Sequence, residues 1–275
     1  KDQSAWDLRI ISIVCLSLSI LCLVATIVVH VTFWKHLKSE RTTLMIHLCV
    51  GLILAYLLFL IGINRTKNKK LCTAIAVFLH YIFLVVFGIM FVHGIQLAIA
   101  VQYVFKTKFN LKTLLAIAWG LPAGIVAISM CASMLDGYGN KNLCWLTSDN
   151  GLIWSFVGPA IAIISFNAIC LCLVIRAIYR TRAVKIQPVG KKIKTSIWAL
   201  CVMLPLLGIT WIVGMFYMGD KSDSVQYIFA VFNGLQGVFI FVFHCVLNKQ
   251  VKKAMRGNEQ KEKVSSRKFT QEVVV

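Results

Sequence analysis

Five histidines, His30, His47, His80, His93 and His244, lie inside long apolar runs of this 275-residue chain. Eight cysteines share those runs: Cys15, Cys22, Cys49, Cys131, Cys170, Cys172, Cys201 and Cys245. Such residues build metal sites, nucleophiles and proton relays, but their spacing here argues against all three. No two histidines form an H-x-x-x-H or H-E-x-x-H pair on one helical face, so each is read as a hydrogen-bonded packing residue. Neither a metal nor any other cofactor is expected. The embedded thiols behave as small hydrophobes. Away from their ends the runs contain no Asp, Glu, Lys or Arg, which counts against a pump, an ion-coupled transporter or a voltage sensor. A retinal protein needs a Schiff-base lysine in the last run, and 226–247 holds none. Hydrolysis inside a membrane needs a placed nucleophile with its base, paired carboxylates or a metal, so no enzyme is expected.

The elements that position these side chains follow from composition. With 59% hydrophobic and 14% charged residues, the chain is too apolar for a soluble fold and fits a bilayer. Seven apolar runs, 8–34, 42–63, 72–103, 111–135, 153–179, 193–218 and 226–247, are each long enough for a spanning helix and too long for strands of a barrel. The predicted fold is an all-α membrane protein, a seven-transmembrane helix bundle over 8–247. Residues 1–7 form an extracellular stub, 248–256 a short amphipathic juxtamembrane helix with Val251 and Met255 on its apolar side, and 257–275 a disordered cytoplasmic tail. The chain begins at Lys1 with no cleavable signal ahead of the first run, so an upstream segment is expected to be missing or processed.

Charge sets the orientation. Of 29 Lys and Arg, 21 fall in the connectors and tail that are cytoplasmic if the N-terminus is outside; seven fall on the other side, and Arg9 heads the first run. The positive-inside rule therefore places the N-terminus outside and the C-terminus inside, in a multi-pass plasma-membrane protein. The net charge of +19 is read as contact with anionic membrane lipid rather than nucleic acid. Arg65, Lys67, Lys69 and Lys70 in one outer connector run against the rule; the sequon at Asn64 in that connector fits an outer location and a glycan. Cys72 and Cys144 are the two cysteines at the oxidising face, and a bridge between them would pin the loop before the fifth span over the bundle.

Three stretches carry more information than generic apolar helix: DGYGNKNLCWL over 136–146 followed by LIWSFVGP over 152–159, LPLLGITWIVG over 204–214, and FNGLQGVFIFVFHCVLN over 232–248. With RTT at 41–43 and FLIGIN at 59–64, they make the chain resemble the seven-span region of adhesion G-protein-coupled receptors, nearest the latrophilin and EGF-seven-span leukocyte branch. The resemblance covers 8–255. Rhodopsin-like receptors are a poor match, because the third span lacks an Asp-Arg-Tyr end and the seventh lacks Asn-Pro-x-x-Tyr.

On physical grounds Pro205 kinks the sixth span and Gly208 frees it to hinge, with Trp211 one turn further out, placed to feel a ligand cavity. Asn233 and Gln236 share a face of the seventh span, and Gly234 and Gly237 let another helix approach. Gln236 and Gly237 are thereby candidates for a polar latch or for structural glue. The resemblance implies that a hydrophobic tethered peptide, exposed when an extracellular adhesion domain is autoproteolysed, enters a pocket lined here by Trp145, Trp154, Trp211, Phe229 and Asn233. The segment 1–7 does not resemble such a peptide. It also implies a heterotrimeric G protein as inner partner, and the candidate contacts are Tyr103, Val104 and Phe105 with Lys191, Lys192 and Lys194. Val273 and Val275 resemble a PDZ-domain ligand that binds by strand addition.

The third span departs from the family pattern Phe-Ala-Trp-Met-Leu-Val-Glu-Gly-Leu-His-Leu-Tyr, reading FGIMFVHGIQLA over 87–98. Ile89, His93 and Ala98 replace the family's Trp, Glu and Tyr, and Met45 stands where a histidine partnering that Glu is common. The losses are mutually consistent, since without a buried carboxylate its polar companion is unnecessary. His93 is placed to take over part of the contact and to respond to pH. The leading expectation is a receptor coupling an outer event to a G protein by helix movement. The alternative is a receptor-shaped cell-adhesion or PDZ-scaffolding protein without coupling.

Overall fold

The computed structural model of the chain describes residues 2–101, 110–139, 143–147, 150–183, 231 and 233–257. Seven α-helices over Asp2–Thr32 (α1), Trp34–Leu37 (α2), Glu40–Gly62 (α3), Lys69–Val101 (α4), Leu111–Ser133 (α5), Trp154–Ala183 (α6) and Gln236–Phe241 (α7) are followed by a π-helical turn, Val242–Val246, and a last helix over 249–257 (α8). Among the described residues there is no strand, only an isolated bridge between Tyr138 and Leu146. Among the described residues, five helices are long and apolar enough to cross a membrane: Ile10–Thr32, Glu40–Gly62, Lys69–Gln96, Leu111–Ser133 and Trp154–Leu173. The sixth predicted span, 193–218, lies outside the described residues, and of the seventh the part from 233 onward is described.

Local chemistry sets several boundaries. Ser39 caps α3, its hydroxyl accepting from the Thr42 N–H at 3.1 Å, and Asn110 caps α5 through the Lys112 N–H at 3.1 Å, the usual means of satisfying a helix's free amides. Helix α5 stops where Met134 and Leu135 take positive φ of 49° and 66°, short of the predicted end at 135. In α8 the structure buries Val251 and Ala254 and leaves Met255 44% exposed.

Helix α4 is the axis of the bundle. Its membrane window is 72% buried, against 22% for those of α1 and α5, because α3, α5 and α6 all pack around it. Phe87, Ile89, Val85, Val86 and Leu79 are among its fully buried side chains. Ile89, where the family pattern has Trp, is wholly buried at this axis. Helix α1 is lipid-facing over much of its surface and packs on α3 and α7.

Candidate functional site

At one end of the bundle the loop between α5 and α6 folds inward over α4. Cys72 in the first turn of α4 and Cys144 in that loop, the pair singled out in the sequence, are joined by a disulfide. The loop is held by hydrogen bonds as well. The Cys144 N–H donates to the Ile63 carbonyl at 2.8 Å, and the Thr73 hydroxyl donates to the Tyr138 carbonyl at 3.0 Å. The Gly139 N–H donates to the Trp145 carbonyl at 3.0 Å and the Thr147 N–H to the Gly137 carbonyl at 2.9 Å. Gly139 has φ +89°, and a Cβ there would meet Cys72 Sγ at 3.0 Å, so the loop passes the disulfide where only glycine fits without strain.

Two side chains point down from this loop. The Tyr138 hydroxyl pairs with His80 Nδ1 at 3.1 Å, and burial pushes its phenol pKa up, opposed by a hydrogen bond from Ser129. Trp145 packs edge-on against Phe156, 5.3 Å between ring centroids, and Phe83, 5.7 Å. Phe156 in turn meets Phe87 at 5.9 Å and His80 at 6.2 Å. Edge-to-face contacts at these separations are favourable beyond the area they bury. The result is an aromatic floor beneath the loop, built from α4, α6 and Trp145.

The predicted pocket residues divide. Trp145 belongs to this floor. Trp154 does not: it is 64% exposed at the head of α6, and Phe156, two residues on and about 200° round the helix, takes the inward place. Trp154 was named from the family resemblance, as one of the positions lining the pocket. Trp211 and Phe229 lie outside the described residues, as do Pro205 and Gly208 of the hinge. Asn233 is buried.

The seventh span is interrupted at Leu235, and two neighbours fill the gap. The Gly237 N–H donates to Ser19 Oγ on α1 at 2.8 Å, while the Tyr56 hydroxyl on α3 bonds the Asn233 carbonyl at 3.0 Å and Gln236 Oε1 at 3.2 Å. In an unbroken helix the Gly237 N–H and the Asn233 carbonyl would pair with each other. Close approach permits the arrangement: a Cβ at Gly237 would lie 2.6 Å from the Ser19 carbonyl oxygen, and one at Gly234 2.6 Å from Cys15 Cβ. Ser19 and Tyr56 went unnoticed in the sequence. A serine and a tyrosine facing the small residues of another span were the available signal.

At the opposite end, His93 is buried on α4 with Met45 buried and Ala98 half-buried nearby in the chain pattern. Among the other histidines, His30 Nδ1 pairs with the Thr26 carbonyl at 2.9 Å, His244 Nδ1 with the Ile240 carbonyl at 3.2 Å, and His47 packs edge-on to Trp119 at 6.1 Å. No three metal-capable side chains gather among the described residues. Asn64 is exposed in the connector between α3 and α4, beside the disulfide. The predicted inner contacts Tyr103, Val104, Phe105, Lys191, Lys192 and Lys194, and the tail residues Val273 and Val275, lie outside the described residues.

Residues 5–240 match the model of the 7 transmembrane receptor (Secretin family). The chain is 36% identical over 88% of its length to adhesion G protein-coupled receptor L4 of Danio rerio, and 36% identical over 90% to adhesion G protein-coupled receptor E1 of Homo sapiens. It is 33% identical over 87% to adhesion G protein-coupled receptor B3 of Mus musculus. It spans 32%, 29% and 18% of those relatives, respectively. This is a family of multi-pass plasma-membrane receptors and not of enzymes. The chain belongs to the secretin-family seven-transmembrane receptors, and its membrane region is that of an adhesion G-protein-coupled receptor.

Proposed function

We propose that this receptor region takes up a hydrophobic tethered peptide at the disulfide-bearing end and passes the signal to a heterotrimeric G protein at the other. The observation that carries the reading is the aromatic floor: Trp145 is lowered from a covalently pinned loop onto Phe83 and Phe156. An apolar ligand arriving there meets rings already ordered, and its binding is coupled to α4 and α6. The orientation, N-terminus outside, is supported by the basic residues, 21 of 29 on the opposite side, and by a disulfide, which the exterior favours. Under the same orientation Asn64 is available for a glycan. The hinge at Pro205 and Gly208, with Trp211 above it, supplies the moving element, and the break at Leu235 gives the seventh span a second one. Anionic inner-leaflet lipid is the partner of the cytoplasmic lysines.

The test is nucleotide exchange across the G-protein classes, using the chain with and without its native upstream residues. Peptide-dependent exchange is expected, and Trp145→Ala should lower the response about tenfold without removing the protein from the membrane. Exchange with no class would sink the reading.

A second reading, an adhesion or scaffolding protein without coupling, is favoured by the third-span substitutions Ile89, His93 and Ala98 together with Met45. There the upstream ectodomain binds a neighbouring cell and Val273 and Val275 engage a PDZ domain. Retention by immobilised PDZ domains, lost on Val275→Asp, with no exchange in the panel above, would establish it.

A further inference from the structure

The connector between α3 and α4 concentrates charge beside the disulfide. Arg65, Lys67, Lys69 and Lys70 fall within six consecutive residues, and all four are exposed. Even fully extended those residues would span at most about 18 Å, and here the chain turns. The Arg65 N–H donates to the Gly62 carbonyl at 3.0 Å and the Cys72 N–H to the Asn68 carbonyl at 2.9 Å, while the Leu71 N–H donates to Asn68 Oδ1 at 3.2 Å. The disulfide at Cys72 and the Cys144 N–H on the Ile63 carbonyl at 2.8 Å tie both ends of the connector to the loop after α5. The backbone that carries the four cations is therefore held in place.

The arrangement is unfavourable for the chain alone. Lys69 and Lys70 open α4, whose first turn carries no acid, and cations at a helix N-terminus oppose its dipole. Like charges closer than about 8 Å repel with little screening at physiological salt. Membrane insertion opposes the pattern too, since basic connectors favour the cytoplasmic side. Among the described residues nothing offsets these costs: no carboxylate pairs with any of the four. Arg65 gives its Nε–H to the Ile61 carbonyl at 3.3 Å, which leaves its positive charge unanswered. Asp136, in the loop tied to this connector, is taken up by the Gly137 N–H at 3.1 Å and Asn150 Nδ2 at 2.9 Å.

We propose that residues 65–70 form a binding surface for a sulfated polysaccharide of the glycosaminoglycan type, on the outer face beside the disulfide. Short runs rich in Lys and Arg are the pattern of heparin and nucleic-acid patches, and outside the cell the polyanion on offer is the glycan. A protein partner fits less well: from 65 to 70 there is no apolar or aromatic residue to anchor an interface, and lysine is depleted from protein interfaces. Anionic lipid fits less well too, because it is concentrated in the cytoplasmic leaflet. Sulfates are permanently ionised and repeat along the sugar chain, so several cations are answered at once and the condensed counterions of the polyanion are released. The inference goes beyond the receptor reading and rests on its orientation, which puts this connector outside the cell.

The test uses intact cells that lack glycosaminoglycans of their own and display the full chain with an epitope tag ahead of Lys1. A fluorescent heparin octasaccharide is titrated, and tag staining corrects for the amount of protein at the surface. The native chain should bind the probe. Lys67→Gln, Lys69→Gln and Lys70→Gln together should weaken binding about tenfold and flatten its dependence on the logarithm of salt concentration by about two units, roughly 0.7 per cation removed. The same three lysines changed to Arg should keep the affinity, and Gln at Lys249, Lys252 and Lys253 on α8 should leave it unchanged. Equal binding by the native and triple-Gln chains overturns the proposal, as does equal binding of the chemically desulfated octasaccharide. A polyglutamate peptide of the same charge that binds as tightly assigns the surface to an acidic protein and overturns the glycan reading. Binding that emerges only with Asn64→Gln assigns the cations to the chain's own glycan and overturns it too. The triple-Gln chain alters exposed side chains only, so its unfolding midpoint should not fall; the single Lys70→Gln, expected to lose about twofold to threefold, serves if it does. A tag reached only after permeabilisation overturns the orientation and the glycan proposal together. A reachable tag with no difference between native and triple-Gln chains overturns the glycan proposal alone and leaves the receptor reading to nucleotide exchange.

Discussion

Where the loop after α5 closes the bundle, a disulfide, four backbone or hydroxyl hydrogen bonds and a layer of edge-on aromatic rings hold one arrangement. At the opposite end, His93 is buried on α4 with its Nε2 unpartnered, and among the described residues no disulfide ties the helices there. The first region is tied together by a covalent bond and by hydrogen bonds among the chain's own groups, although His80 Nε2 beneath the loop has no partner. Between them, the break at Leu235, bridged by Ser19 and Tyr56, ties the seventh span to α1 and α3.

The comparison is tested most severely by removing the disulfide. Cys144→Ser should destabilise the loop end by about 2–5 kcal/mol, read as a lowered unfolding midpoint and reduced surface expression. Little change would mean that hydrogen bonds alone hold the loop. Next in size, Gly237→Val forces a side chain into the Ser19 carbonyl and should cost roughly 1–3 kcal/mol by overpacking, while the same change at Gly257, where a Cβ meets nothing, should leave the midpoint unmoved. Tyr56→Phe removes the donor to Asn233 and Gln236 and should cost about 1 kcal/mol, with a larger effect on exchange than on stability if the break is a moving part.

The smallest effect is alkaline. The folded-state pKa of Tyr138 is raised by burial, so the stability it contributes is whole below the unfolded value of about 10 and is lost as pH rises through the folded value. Tyrosinate absorbance should show Tyr138 ionising later than exposed phenols do, and Tyr138→Phe should remove that component. Loss of the loop's protection below neutral pH would contradict this assignment.

How much of this was legible beforehand depended on whether a property belongs to one segment or to several. Apolar runs of spanning length announced α1, α3, α4, α5 and α6, because a bilayer demands that each helix satisfy its own backbone. Bounds slipped at the ends: α4 begins at Lys69 rather than Cys72, since a charged first turn extends beyond the apolar window. Cys72 and Cys144 were legible because topology brought two thiols to one face. Which of Trp154 and Phe156 turns toward Trp145 was not legible, because helical phase at the head of α6 is set by its packing on α4.

The sequence by itself determined the class of the fold and the candidate disulfide, both of which are counts or local patterns that survive without knowing who packs on whom. Tertiary structure alone decided that Phe156 lies under Trp145 and that Ser19 and Tyr56 take up the broken turn of the seventh span. These are contacts between helices far apart in the chain, set by the rotation of each helix about its own axis, and no single segment encodes that rotation.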